Sequence, residues 1–402
     1  MTPTAPPVDA PDRAFFPCFN GYRGLAAVAV FVLHATFVSG TIGRTPSLGI
    51  FGLDLGQFLI RLDVGVSVFF LISGFLLYRP FVLAHLRGVP GPELRDYFVG
   101  RFLRIFPAYW VALIAVVWVF RQSGPKHSID NLGDFISYFG LLQQYTASHA
   151  YGGIQQAWTL CVEVAFYLFL PLWALGIRTV ARRAKGVVRV ELVGLVVLFM
   201  TGIAYRMIVL SINPRPLIEL SWLPAFFDQF ALGMLLAVVS AGIETGHVRS
   251  RLAEFAGKRP WMCWGLAGFA FVAVSTLFDL PLDYRQLSRG QWLAWTLLYG
   301  ATAFFLLLPG IFGDQERGLA RRTLRHPVLV GLGVVSYGIY LWHELWLGRF
   351  FSTTGLPVFD VDVFAVLGYA GMLTLTAAIV SWNFIESPVL RLRRERSLTT
   401  TS

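Results

Sequence analysis

Charge is the first thing this chain lacks: 14% of its 402 residues are Asp, Glu, Lys or Arg, against 56% apolar. So little charge cannot cover the surface of the two or three soluble domains that the length would allow. Cysteine is scarce as well. Cys18, Cys161 and Cys263 form an odd set with two members inside apolar runs, which excludes a disulfide framework, and no Cys/His spacing resembles a metal site. The N-terminal Thr/Pro/Ala stretch lacks the charged-then-apolar order of a cleavable signal, so residues 1–20 read as a disordered cytoplasmic leader.

What the chain has instead is a succession of apolar stretches, each near the ~20 residues that a bilayer-crossing helix needs. They fall at roughly 24–40, 62–80, 106–121, 157–177, 190–210, 222–242, 260–280, 291–312, 328–350 and 363–384. The expected fold is all-α: a polytopic membrane protein of about ten transmembrane helices over residues 21–388, with a basic tail at 389–402. No convincing internal repeat relates the halves, which counts against a carrier built on inverted repeats. The net charge of +10 does not point to nucleic acid. Arginines crowd the N-terminus, alternate loops and the tail, and that asymmetry places both termini in the cytoplasm.

A few polar side chains interrupt the apolar runs. His34 lies eleven residues beyond Arg23 in the first run, or about 16 Å along a helix and near mid-bilayer. Glu163 stands about 9 Å into the fourth run, and His343 about 22 Å along the ninth. One such residue is often structural, but several at one level point to a polar chamber. Asp63 marks the mouth of the second run, while Asp228 and Arg206, at similar depth, make a structural pair. Arg101 and Arg104, three apart, share a helix face. Phe98, Phe102 and Phe106 then occupy the opposite side, as in an interfacial amphipathic helix. The apolar run within Leu132–Tyr145 is too short to cross and reads as re-entrant or surface-lying. Pro388 is expected to end the last helix.

Six separated motifs stand in one order along nearly the whole chain: Arg23 with His34; Phe69, Phe70, Ser73 and Gly74; Arg101, Arg104 and Pro107; Trp158-Thr-Leu-Cys-Val-Glu163; Ser336, Tyr337, Tyr340, Leu341 and His343; and Ile385, Glu386 and Pro388. Together they resemble the acyltransferase-3 family of polytopic membrane O-acyltransferases, with Thr159 where the family has Ser. The resemblance implies a multi-pass protein of the bacterial plasma membrane that moves an acyl group, often acetyl, from acyl-CoA to a hydroxyl. Acceptors it implies are envelope polysaccharides, glycolipids, peptidoglycan or macrolide-type molecules. Many members carry a fused hydrolase-like domain; this chain shows none, so the expectation is that it finishes the reaction in the membrane or hands over to another protein.

That chemistry assigns roles. His34 is the candidate general base, since imidazole titrates near neutrality and can return the proton to the leaving thiolate. Glu163 is the candidate to orient it. Ser336, Tyr337 and His343 are candidates to bind the acceptor or the oxyanion. Arg101 and Arg104 suit the phosphates of acyl-CoA, a co-substrate rather than a bound cofactor. Arg23, Asp63, Ser73 and Asp228 are supporting residues, and no metal is expected. An acyl-enzyme on Cys161 or Ser336 has little support, because a buried cysteine in apolar surroundings is inert. A flippase for a lipid-linked sugar, or an acylase of a soluble antibiotic from the cytoplasmic side, are the rival readings.

Overall fold

The computed structural model describes residues 16–43, 47–48, 53–121, 128–184, 186–213, 216–278, 280–282 and 287–392. Among them the chain is helical apart from loops and one two-residue antiparallel pairing, Ser47–Leu48 with Leu53–Asp54. The helices follow the apolar runs. Eight are long and apolar enough to cross a membrane: Cys18–Val38, Leu55–Arg87, Leu94–Val119, Gln155–Ala181, Val187–Ile212, Leu223–Glu244, Arg289–Ile311 and Val363–Leu392. A ninth crossing is broken, with Pro327–Val334 and Ser336–Thr354 meeting at 70°. Pro260–Thr276 is apolar but shorter. In chain order these are spans one to ten, with Pro260–Thr276 seventh and the broken pair ninth. The chain is thus the multi-pass, all-α membrane protein its composition requires.

Two boundaries differ from the sequence reading. The first helix begins at Cys18, with Cys18 and Phe19 buried, so the expected leader ends inside a span. Residues 1–15 and 393–402, most of that leader and of the basic tail, lie outside the described residues. At the other end Pro388 does not stop the helix, which runs on to Leu392. A π turn over Trp382–Glu386 precedes it. The widened turn shifts the carbonyl that a proline ring would otherwise strike.

Small residues decide which spans touch. Gly233 of the sixth span lies so close to the second that an added Cβ would collide with the Leu71 carbonyl, and Gly333 faces the Asn20 carbonyl of the first span in the same way. Without a hydrophobic drive between helices in lipid, such backbone approach is a main source of packing. Aromatic rings fill the remaining centre: Phe230 stacks on Phe166 at 3.9 Å and packs on Phe70 at 4.9 Å. The break in the ninth span is covered locally, as Ser336 Oγ donates to the Gly333 carbonyl at 2.8 Å. The short apolar run forms a helix, Leu132–Phe139, started by an Asn131–Asp134 capping box. The third span holds it, through Tyr109 Oη to the Tyr138 carbonyl (2.6 Å) and Trp110 Nε1 to the Phe139 carbonyl (2.9 Å).

Candidate active site

Five spans enclose a chamber of about 830 Å³ of empty space, counted out to its mouth. Arg23 comes from the first span, Ser73 from the second, Arg101 and Arg104 from the third, Glu163 and Tyr167 from the fourth, and Ser336, Tyr337 and Tyr340 from the ninth. The break in the ninth span explains the last group, because it aims the start of Ser336–Thr354 at the cavity. Glu163 accepts hydrogen bonds from Ser73 Oγ (3.0 Å) and from Tyr167 Oη (3.1 Å), one turn along its own helix. Arg101 lies over the Tyr167 ring at 5.9 Å and Arg104 over Tyr337 at 5.7 Å. Arg104 Nη1 also meets Glu386 at 3.4 Å, an acid delivered by the π turn of the tenth span. Arg23 makes no hydrogen bond or ion pair among the described residues.

This arrangement reverses the interfacial helix expected around Arg101. The two arginines do share a face, but that face turns into the bundle, while Phe98 and Phe102 are exposed on its outside. Apolar rings turned to lipid and charges turned to a protein cavity are the cheaper arrangement inside a bilayer.

His34 lies outside the lining of this chamber, beside the turn that follows Tyr340. Its ring stacks on that of His343 at 5.0 Å with 10° between the planes, and His34 Nδ1 is 2.8 Å from His343 Nε2. The fully buried His343 has its other nitrogen 2.7 Å from the Tyr340 carbonyl. That carbonyl can only accept, so His343 Nδ1 carries a proton and its Nε2 is the acceptor. The proton between the two rings therefore sits on His34 Nδ1. The same nitrogen is 3.2 Å from Glu344 Oε1. His34 is then left with a bare Nε2, on a side chain that is 31% exposed.

Several expected roles change with this geometry. Glu163 does not touch His34; its oxygens belong to Ser73 and Tyr167, and Glu344 stands beside the imidazole instead. Glu344 was missed because, next to His343 in sequence, it should project about 100° away on a helix. The His34 ring lies between the two directions and meets both. The usable signal was an acid in an apolar run at the depth of two histidines. Ser336 and Tyr337 line the chamber, but their hydroxyl protons are committed to the Gly333 and Ile105 carbonyls, both at 2.8 Å. His343 is likewise turned to His34 and to backbone. None of the three has a hydrogen left for an oxyanion. Asp63 accepts from Tyr299 Oη, and Asp228 pairs with Arg206 at 3.6 Å, as the sequence suggested.

His34, His343 and Glu344 also present ligand atoms within 4.8 Å of one another, as a metal site would. Two ligands on a tetrahedral ion at 2.0–2.1 Å sit about 3.3 Å apart. The 2.8 Å between the ring nitrogens is shorter, and fits a direct hydrogen bond better.

A sequence profile of a family described as an acyltransferase domain matches residues 16–382. Among curated proteins, the chain is 25% identical to nodulation protein 10 of Rhizobium leguminosarum over 82% of each chain. It is 23% identical to the peptidoglycan O-acetyltransferase OatA of Listeria monocytogenes, covering 94% of this chain and 56% of that one. It is 25% identical to the exopolysaccharide production protein ExoZ of Rhizobium meliloti, over 83% and 92%. No solved structure matches it.

Proposed function

The chain belongs to the acyltransferase family whose domain it matches across residues 16–382, and from that premise we propose that it moves a short acyl group, such as acetyl, from acyl-CoA to a hydroxyl of a sugar-containing envelope molecule. The observation that carries the proposal is the His34–His343–Glu344 relay standing next to a chamber lined by three arginines. In this reading the arginine-rich end faces the cytoplasm. Arg101 and Arg104 hold the CoA phosphates by charge-assisted hydrogen bonds, and the thioester reaches outward toward Tyr340.

His34 Nε2 takes the proton of the acceptor hydroxyl as its oxygen attacks the thioester carbon. Glu344, beside Nδ1, stabilises the imidazolium that forms. The tetrahedral intermediate collapses as the C–S bond breaks, and the imidazolium returns its proton to the sulfur. Arg23, which makes no hydrogen bond or ion pair among the described residues, is the group best placed to meet the oxyanion. The relatives named for peptidoglycan O-acetylation and exopolysaccharide production support a glycan acceptor over a soluble antibiotic.

The test is purified protein in vesicles given labelled acetyl-CoA and envelope glycans. Free thiol released in step with label on the glycan supports the reading. Glycan moved across the vesicle without thiol release makes the chain a flippase, and label on a soluble small molecule makes it an antibiotic acylase.

A further inference from the structure

A second cavity, of about 780 Å³ of empty space, lies toward the opposite end of the bundle from Arg101 and Arg104. Its walls are rings: Trp158, Tyr151 and Phe226 on one side, Trp292, Trp295 and Tyr299 on the other. Between them sits Gln229, 1% exposed, with neither its amide oxygen nor its nitrogen hydrogen-bonded among the described residues. Arg206 also lines the cavity, with Nη1 lacking a hydrogen-bond partner among the described residues while Nη2 serves Asp228 and the Ala225 carbonyl. A buried amide with both ends unpaired is costly, and here it projects into a space where a ligand can satisfy it. Arg206 is matched by Asp228, and the Asp63 carboxylate accepts a hydrogen bond from Tyr299.

Flat aromatic faces, a donor–acceptor amide and little net charge are the chemistry of a pyranose ring, whose C–H faces stack on indoles and whose hydroxyls both donate and accept. Val66 walls both this cavity and the arginine-lined chamber. Its neighbour Gly65 packs on Val30, one turn before His34 on the first span. The two cavities therefore share a wall, on a stretch of the second span that packs against the helix carrying His34. We propose that this cavity is the acceptor subsite and that it takes a sugar ring, an inference that rests on the acyl-transfer reading above.

The experiment uses membrane vesicles containing the full chain, labelled acetyl-CoA, and the glycans of the producing cell. Gln229→Leu keeps the volume and removes the unpaired amide. It should raise Tm by a few degrees and lower label on glycan at least tenfold, with the acetyl-CoA half-saturation within twofold of wild type. Trp292→Ala should lower labelling similarly, and Trp292→Phe should recover at least a third of it. Wild-type labelling in Gln229→Leu and Trp292→Ala overturns the subsite. So does a lowered Tm with parallel loss of donor binding, which makes the cavity structural, or label that the variants lose from a product other than glycan. If wild type itself releases no thiol, the acyl-transfer reading falls first.

Discussion

Glu344→Gln separates the relay seen here from the partner that sequence spacing favoured. The carboxylate oxygen lies 3.2 Å from His34 Nδ1, and the two side chains are 22% and 31% exposed. At an effective dielectric of about 20, a unit-charge pair at this distance is worth about 5 kcal/mol. Partial exposure screens some of that, leaving roughly 3 kcal/mol for the imidazolium of the transition state. The amide keeps the shape and loses the charge, so kcat should fall about 100-fold. KM for acetyl-CoA should stay within twofold, because the arginine chamber is untouched. Thiol release from protein in vesicles, followed across pH 5–9, measures both. Wild-type kcat in Glu344→Gln, together with a collapse of kcat and a shifted pH profile in Glu163→Gln, would refute the relay and restore Glu163 as the partner of His34.

Other outcomes follow from the same geometry. His34→Ala should leave expression and elution profile intact while abolishing transfer; wild-type product would remove His34 from the mechanism. Arg104→Ala should raise KM for acetyl-CoA about tenfold and flatten its salt dependence, since one charge-assisted phosphate contact is lost, and an unchanged KM would leave the arginine structural. A chelator such as EDTA should leave turnover within twofold, whereas loss restored by zinc would mean that the two histidines and Glu344 share an ion. Gly333→Ala forces the first span away from the break in the ninth and should cost about 3 kcal/mol or more, read as a lowered Tm in detergent. In the Leu132–Phe139 segment, backbone N–H groups, Asp130's first, and then His149 hold the Asp134 carboxyl below its usual range. A depressed carboxylate contributes order above its unfolded value and loses it as pH falls through the folded one. Hydrogen-exchange protection factors across 128–150, corrected for the intrinsic rate at each pH, should therefore hold at neutral pH and fall only below about pH 4.

The apolar runs, their number and their order were legible in the sequence, because a bilayer sets both the length of a crossing helix and the polarity of its surface. Glu163 was legible as a polar group at membrane depth, but the sequence grouped it with His34 and His343; Arg23, Arg101, Arg104 and Ser73, beside which the structure places it, stood out only through the separated motifs. The Arg206–Asp228 pair was readable too, since opposite charges at equal depth on consecutive helices rarely stay apart. The facing of the third span was not, because Arg101/Arg104 and Phe98/Phe102 define two stripes without saying which one meets lipid.

What only the tertiary structure decided is the rotation of each helix about its own axis and the point at which the ninth breaks. Depth along a helix comes from counting residues, but azimuth comes from which glycines let which backbones touch. That is why Glu163 ends on Ser73 and Tyr167, why Glu344 rather than Glu163 meets His34, and why Gln229 lies among tryptophans from helices far apart in the chain. The sequence determined a membrane bundle with charge and imidazole inside it; the packing of small residues determined which of those groups face one another.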